Sequence, residues 1–287
     1  MTGLLFALAV CFAAEPPTPE ADRGFHHAEQ VAAAAFPEGV QAIFEPEWRL
    51  PLYEEAGGTG IGHVLTADNY VSLVVHNELT PAFLRAGPVL RFSPFAVWDV
   101  SFGMYGVWYF DTFTAILPLD SADTVASPEW KQEQIDSGQR EGGGGIQAYA
   151  DTRVKFKAGP VLGIAELTVV RNDVYGYRKD LVLYWDPTDQ VNAPAHGFVI
   201  RRTFYLFADI VHPDSATGRR LWVGPALNWT SNELTSDRNI RLGAMLLWKP
   251  NDAPAMPTVV FGSQAWLDSR FHDTWPPYTF LAGRWEN

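Results

Sequence analysis

The 287-residue chain holds a single cysteine, Cys11, and beyond its first fourteen positions no run approaching 18 consecutive apolar residues. It is also short of basic residues, with 21 Lys and Arg against 33 Asp and Glu and a formal net charge of -12. One cysteine excludes an intrachain disulfide framework. Without a long apolar run there is no transmembrane helix. An acidic balance without a basic tract argues against a nucleic-acid partner. Catalytic signatures are missing too: no Gly-x-Ser-x-Gly, no His-Glu-x-x-His, no Gly-rich phosphate loop and no His-x-Ser on a strand face. Only the placement of His63, His76, His196, His212 and His272 would speak for an enzyme, so none is expected, and no catalytic residue, metal ligand or cofactor is assigned.

What the chain does have is apolar content, 47% of residues, with 14% aromatic. Gly3 to Ala14 (GLLFALAVCFAA) is a short apolar run followed by the Pro-rich Glu15 to Glu20. That order predicts a secretory signal peptide over residues 1–14, cleaved after Ala13 or Ala14. Residues 15–38 are then expected as an N-terminal periplasmic segment, a mobile tail or a short helix over Asp22 to Ala35 in which alanines recur.

From residue 39 onward the apolar residues alternate. Leu221, Val223, Pro225, Leu227 and Trp229 share one face, and Arg220, Trp222, Gly224, Ala226 and Asn228 the other. This is the period of a two-faced β-strand. Val40 to Leu52, Val71 to Glu78, Leu84 to Phe92 and Trp98 to Trp108 repeat it, the last two as a hairpin. Val154 to Leu162, Leu167 to Trp185, Phe198 to Phe207, Ile240 to Trp248, Thr258 to Leu267 and Tyr278 to Trp285 continue it. Eleven segments are visible where a single-chain barrel carries an even number, so twelve strands are expected and ten are the second choice. Leu167 to Trp185 is the stretch long enough to hide a hairpin. A soluble β-sandwich shows the same alternation with its apolar faces buried. The long apolar faces and strand-end aromatics (Trp108-Tyr109-Phe110, Tyr184-Trp185, Trp229, Trp248, Trp285) favour the membrane solution, with interfacial girdles.

The polar faces carry the candidate lumen residues: Arg85, Arg91, Arg153, Lys155, Lys157, Arg220, Arg241 and Arg284 as bases, Glu45, Glu47, Glu78, Asp99 and Asp173 as acids. Opposed rows of this kind either set the selectivity of a pore or pair into a network that fills it. In an open pore, exchanging Arg85 and Arg91 for Glu would shift ion preference toward cations. A Gly-Pro repeat (Ala86-Gly87-Pro88, Ala158-Gly159-Pro160, Val223-Gly224-Pro225) is expected midway along three strands, as a device of curvature. Ser121 to Gly145 is the longest polar connection, a solvated loop or one folded inward as a constriction.

Over roughly Val40 to Asn287 the chain resembles bacterial outer-membrane β-barrel proteins, and Tyr278 to Trp285 resembles the C-terminal signal read by the outer-membrane assembly machinery. Its size is similar to that of twelve-stranded envelope channels, outer-membrane phospholipases and ten-stranded omptin proteases. The expectation is an all-β, closed antiparallel transmembrane barrel over residues 39–287 in the outer membrane, a passive channel for small solutes or ions. Its expected partners are outer-membrane lipid, the assembly machinery and those solutes. A closed structural barrel and a periplasmic β-sandwich that binds carbohydrate are the alternatives.

Overall fold

The structure is a computed structural model that describes residues 24–35, 39–53, 69–111, 116–177, 181–211, 219–235, 237–251, 253, 256–269 and 277–286. The chain opens with β1 (Gly24–Ala35), β2 (Gly39–Pro51), β3 (Tyr70–Leu79), β4 (Phe83–Phe95) and β5 (Trp98–Tyr109). A long connection then holds β6 (Leu117–Pro118) and the helix α1 (Pro128–Asp136) before β7 (Gly143–Ala158) and β8 (Val161–Gly176). A second one holds β9 (Leu183–Asp186) and β10 (Val191–Pro194), and β11 (His196–Val211), β12 (Arg220–Asn232), β13 (Arg238–Lys249), β14 (Thr258–Ser269) and β15 (Tyr278–Glu286) complete the chain. Twelve of the strands form one closed antiparallel ring, in the order β1-β15-β14-β13-β12-β11-β8-β7-β5-β4-β3-β2. The remaining three, β10-β9-β6, make a small separate sheet.

Alternation fits the sequence to this ring and the burial decides which way it faces. Leu73, Phe102 and Phe156 are 54–55% exposed, while Glu45, Glu78 and Arg153 on the other face are 1–2% exposed. The apolar face is outside and the charged face inside, the reverse of a water-soluble sandwich. Such a band of outward Leu, Val and Phe is far larger than the apolar patches soluble monomers expose. A closed ring also leaves no unpaired strand edge in the hydrocarbon. Trp48, Trp98, Trp248 and Trp285 stand outward near one rim and Trp108, Tyr175 and Trp229 near the other, as two aromatic girdles. The fold is a twelve-stranded transmembrane β-barrel. Both ends of the described chain lie at the first rim, and the longest connections, 110–142 and 177–195, at the second, here called the loop rim.

The missing twelfth strand is β1, so the barrel begins at Gly24 and not at residue 39. Ala28 to Ala34 suits a helix by intrinsic propensity, but its residues fit between β2 (Gly24 opposite Arg49 through Ala34 opposite Gly39) and β15 (Ala28 opposite Glu286 through Ala35 opposite Thr279). Closing the ring outweighs the local preference. The expected segment Val154 to Leu162 straddles a tight turn: Gly159, at a φ of +58°, and Pro160 join β7 to β8. The second Gly-Pro copy is therefore a turn. The other two lie mid-strand as expected, at Gly87 and Gly224, and there the β4–β5 and β11–β12 pairings lapse. A Cβ on Gly87 would meet the Met104 carbonyl oxygen, and one on Gly224 that of Leu206. These glycines thus admit a neighbouring backbone, whereas Gly103 and Gly262 lie under the rings of Tyr149 and Phe280.

Candidate functional site

The lumen is the only place where the chain gathers polar chemistry at scale among the described residues, and it divides lengthwise. On the β2–β5 side stands a charge network. Glu45 faces Arg91 Nη2 at 3.2 Å, His76 Nδ1 at 2.8 Å and Arg284 at 3.8 Å. Glu47 accepts from Arg49 at 2.8 Å and from Ser72 at 2.6 Å, with Arg91 Nη1 at 3.5 Å. Glu78 faces His76 Nε2 and Arg85 Nη1, each at 3.4 Å, and accepts from Gln41. His76 thus has a carboxylate at each ring nitrogen, an arrangement satisfied by two donated bonds only in the imidazolium form. The strand registers explain the cluster: Glu78 is opposite Arg85 and Ser72 opposite Arg91 across β3–β4.

Farther round the wall, Arg153 donates from Nε and Nη2 to Glu166 Oε2 at 3.1 and 3.0 Å, and Thr168 donates to Asp151 at 2.9 Å. Lys155 pairs with Asp99 at 2.9 Å, which also accepts from Ser93 at 2.8 Å. The opposite side is apolar: Tyr205, Phe207, Trp222, Met245, Leu247 and Phe280 pack inward as one cluster. Arg241 enters this half stacked over Tyr278, 4.6 Å from the ring centre, and over Trp266 at 5.2 Å.

The loop-rim end is stopped by the β9–β10 hairpin. Its tip, Asp186-Pro187-Thr188-Asp189-Gln190, is a side-chain-held turn in which Asp186 Oδ1 accepts from the backbone N–H of Thr188 at 2.7 Å and of Asp189 at 3.3 Å. Arg201 of β11 grips the tip, donating Nε to Asp189 Oδ1 at 2.5 Å and Nη2 to Oδ2 at 2.7 Å. Arg85 donates to Thr188 at 3.4 Å, Asn239 to the Asp189 carbonyl at 3.3 Å and Asn232 to the Asn192 carbonyl at 2.8 Å. Tyr184, Val191, Asn192 and Ala193 have no solvent exposure. Beneath the tip remains a cavity of about 40 Å³ lined by His76, Arg85, Tyr105, Gln147, Tyr149 and Arg201, among others, room for very little water.

Above the hairpin, β6 pairs with β9, and α1 begins at Ser127, whose side chain accepts from the Trp130 N–H. Lys131 of α1 lies over the Trp185 ring, 3.6 Å from its centre, and burial pushes its ammonium down to about 7. A folded-state value below the unfolded one means that stability of this cap rises as the pH climbs from about 7 toward the ordinary lysine range. Hydrogen exchange of the α1 amides is expected to slow, after correction for the intrinsic rate, between pH 7 and pH 9, and Lys131→Met to abolish the trend.

Eleven of the thirteen candidate lumen residues line or enter the interior: Arg85, Arg91, Arg284, Glu45, Glu47 and Glu78 meet in one network, Arg153, Lys155 and Asp99 form adjacent pairs, Arg220 is buried at the terminal rim, and Arg241 stands apart. Lys157 differs, since it is exposed beside the β7–β8 turn. Asp173 faces outward, accepting from His196 at 2.7 Å and Tyr175 at 3.0 Å. Tyr184 and Trp185 are buried in the hairpin and form no girdle. The lumen is constricted by the β9–β10 hairpin; Ser121 to Gly145 supplies α1 and, at its end, the start of β7. His63, His212 and His272 lie outside the described residues. The main omissions are Arg201, Asp189, Asp151 and Glu166. Alternation through Ile200, Arg201, Arg202 and Thr203 puts Arg201 on the face opposite Ile200, and Asp-Pro-Thr-Asp directly after the apolar Leu181 to Trp185 is a turn signal. No group of three or more metal-binding side chains converges among the described residues.

No family model and no curated protein matches the chain. Among solved structures it is similar to the beta domain of the Bordetella autotransporter Brka, at 11% identity over 92% of this chain and 99% of that one, with a TM-score of 0.49. It is also similar to LpxR from Salmonella typhimurium (10% identity, 91% and 99%, TM-score 0.41) and to the translocator domain of the autotransporter NalP from Neisseria meningitidis (12%, 99% and 93%, TM-score 0.41).

Proposed function

We propose that the protein is a bacterial outer-membrane barrel that stands closed, a structural or gated wall protein in place of the permanently open channel expected from the alternation. One observation carries this reading: the β9–β10 hairpin is seated in the lumen by the two-pronged bond between Arg201 and Asp189. A guanidinium–carboxylate fork is among the strongest polar contacts a protein makes. The charge network on one side and the aromatic cluster on the other fill the remaining section, as side chains commonly do in narrow barrels.

A conduit for small solutes or ions is the second reading. What favours it is the charged wall directly beneath the hairpin, which would be wetted if the hairpin left. Planar-bilayer recording of the refolded wild-type chain separates the two. Folding is checked by heat-modifiable gel mobility. Silence over long recordings is the expected result, and discrete conductance steps from the unaltered chain would overturn the closed reading.

A further inference from the structure

Two arginines interrupt the apolar outer wall. Arg202 of β11 faces outward between its register partners Leu167 of β8 and Trp229 of β12, with exposed Phe204 and Leu206 following on the same face. Its guanidinium lies 4.9 Å from the centre of the Trp229 ring, and Nη1 donates to Ser231 Oγ at 3.3 Å. Ser231 is paired with Ile200, so the side chain reaches two residues, roughly 7 Å along the strand, toward the loop rim. Arg171 of β8, exposed and outward, stands opposite Phe198, a further two residues up.

Neither arginine is within 4.0 Å of a carboxylate among the described residues. The nearby acids are engaged elsewhere: Asp173 with His196 and Tyr175, and Glu233 with the Phe198 N–H. Arg238, also outward, differs in being paired with Asp268. A cation on the lipid-facing wall is costly unless something neutralises it, and here the protein supplies only the more distant charge of Asp173 to Arg171 and the Trp229 ring and Ser231 hydroxyl to Arg202. Trp229 marks the level of the interface at which headgroups begin.

We infer that Arg171 and Arg202 form a site for one anionic lipid headgroup on the β8–β11–β12 wall, in the leaflet on the loop-rim side. This rests on the membrane placement proposed above. The two guanidiniums, on the neighbouring strands β8 and β11, offer phosphate oxygens a fork each, while Phe204, Leu206 and Leu227 bed the acyl chains. The lumen arginines facing Glu45, Glu47, Glu78 and Glu166 cannot compete, since their carboxylates already occupy them.

The test is native mass spectrometry of the full chain extracted from vesicles made of equal parts phosphatidylglycerol and phosphatidylcholine. Retained lipid is expected to be enriched about tenfold in phosphatidylglycerol. The double variant R171Q/R202Q should fall to the bulk ratio while keeping heat-modifiable mobility, and R238Q should keep the enrichment. Millimolar inorganic phosphate should not release the bound lipid; release would mean a free-anion site. Absence of enrichment, or enrichment that survives R171Q/R202Q, overturns the site while leaving the membrane placement intact. Retention of neither lipid would overturn both.

Discussion

Replacing Arg201 with Leu is expected to turn a silent barrel into one that conducts in bursts. The substitution removes both donors to the Asp189 carboxylate and leaves it beside Asp186 at the hairpin tip with Arg85 as a more distant cation. Breaking a buried pair from one side costs about 3–5 kcal/mol. Spread over a hairpin of two four-residue strands, that is enough to populate a displaced state. Asp189→Asn combined with Arg201→Leu should restore part of the loss, because no charge is then stranded. Single-channel recording of the two variants checks this. Silence from Arg201→Leu, in protein that has folded, would show that the hairpin is held without the latch.

The second large effect is on stability. Arg91→Leu leaves Glu45 and Glu47 facing one another's field with Arg49, Arg284 and His76 as remaining cations. The folded barrel is expected to lose about 3–5 kcal/mol, read as a lower midpoint of urea unfolding in lipid vesicles at unchanged slope. Adding Glu45→Gln should recover a part of it. The exchange of Arg85 and Arg91 for Glu, which in an open pore would alter ion preference, here places new carboxylates beside Glu45, Glu47 and Glu78. Its expected outcome is failure to fold. A urea midpoint for Arg91→Leu equal to that of the wild type would mean that the network is hydrated and loosely coupled.

Much of this site could be read from the chain. Alternation put Arg85, Arg91, Arg153, Lys155, Glu45, Glu47 and Asp99 on one face, and the fold keeps every one of them inward. Which acid meets which base could not be read, because a pair such as Glu45–Arg91 spans 46 residues and depends on the register of intervening strands. Asp173 was misplaced because β8 runs straight to Gly176, which sets Asp173 with Arg171 and Tyr175 on the outer face.

Sequence by itself determined the period-two pattern, the apolar and charged faces and the absence of a long apolar run, all of which are local properties of short segments. Only the tertiary structure decided that the apolar face looks outward, since alternation is the same for a sandwich and a barrel. Closure alone recruited the Ala-rich Gly24–Ala35 as a strand, by giving it two neighbours that its own composition does not specify. The seating of the hairpin was likewise a tertiary matter: β9 and β10 look like any short hairpin until Arg201, eleven residues past the tip's last residue, is brought round by the barrel to hold Asp189.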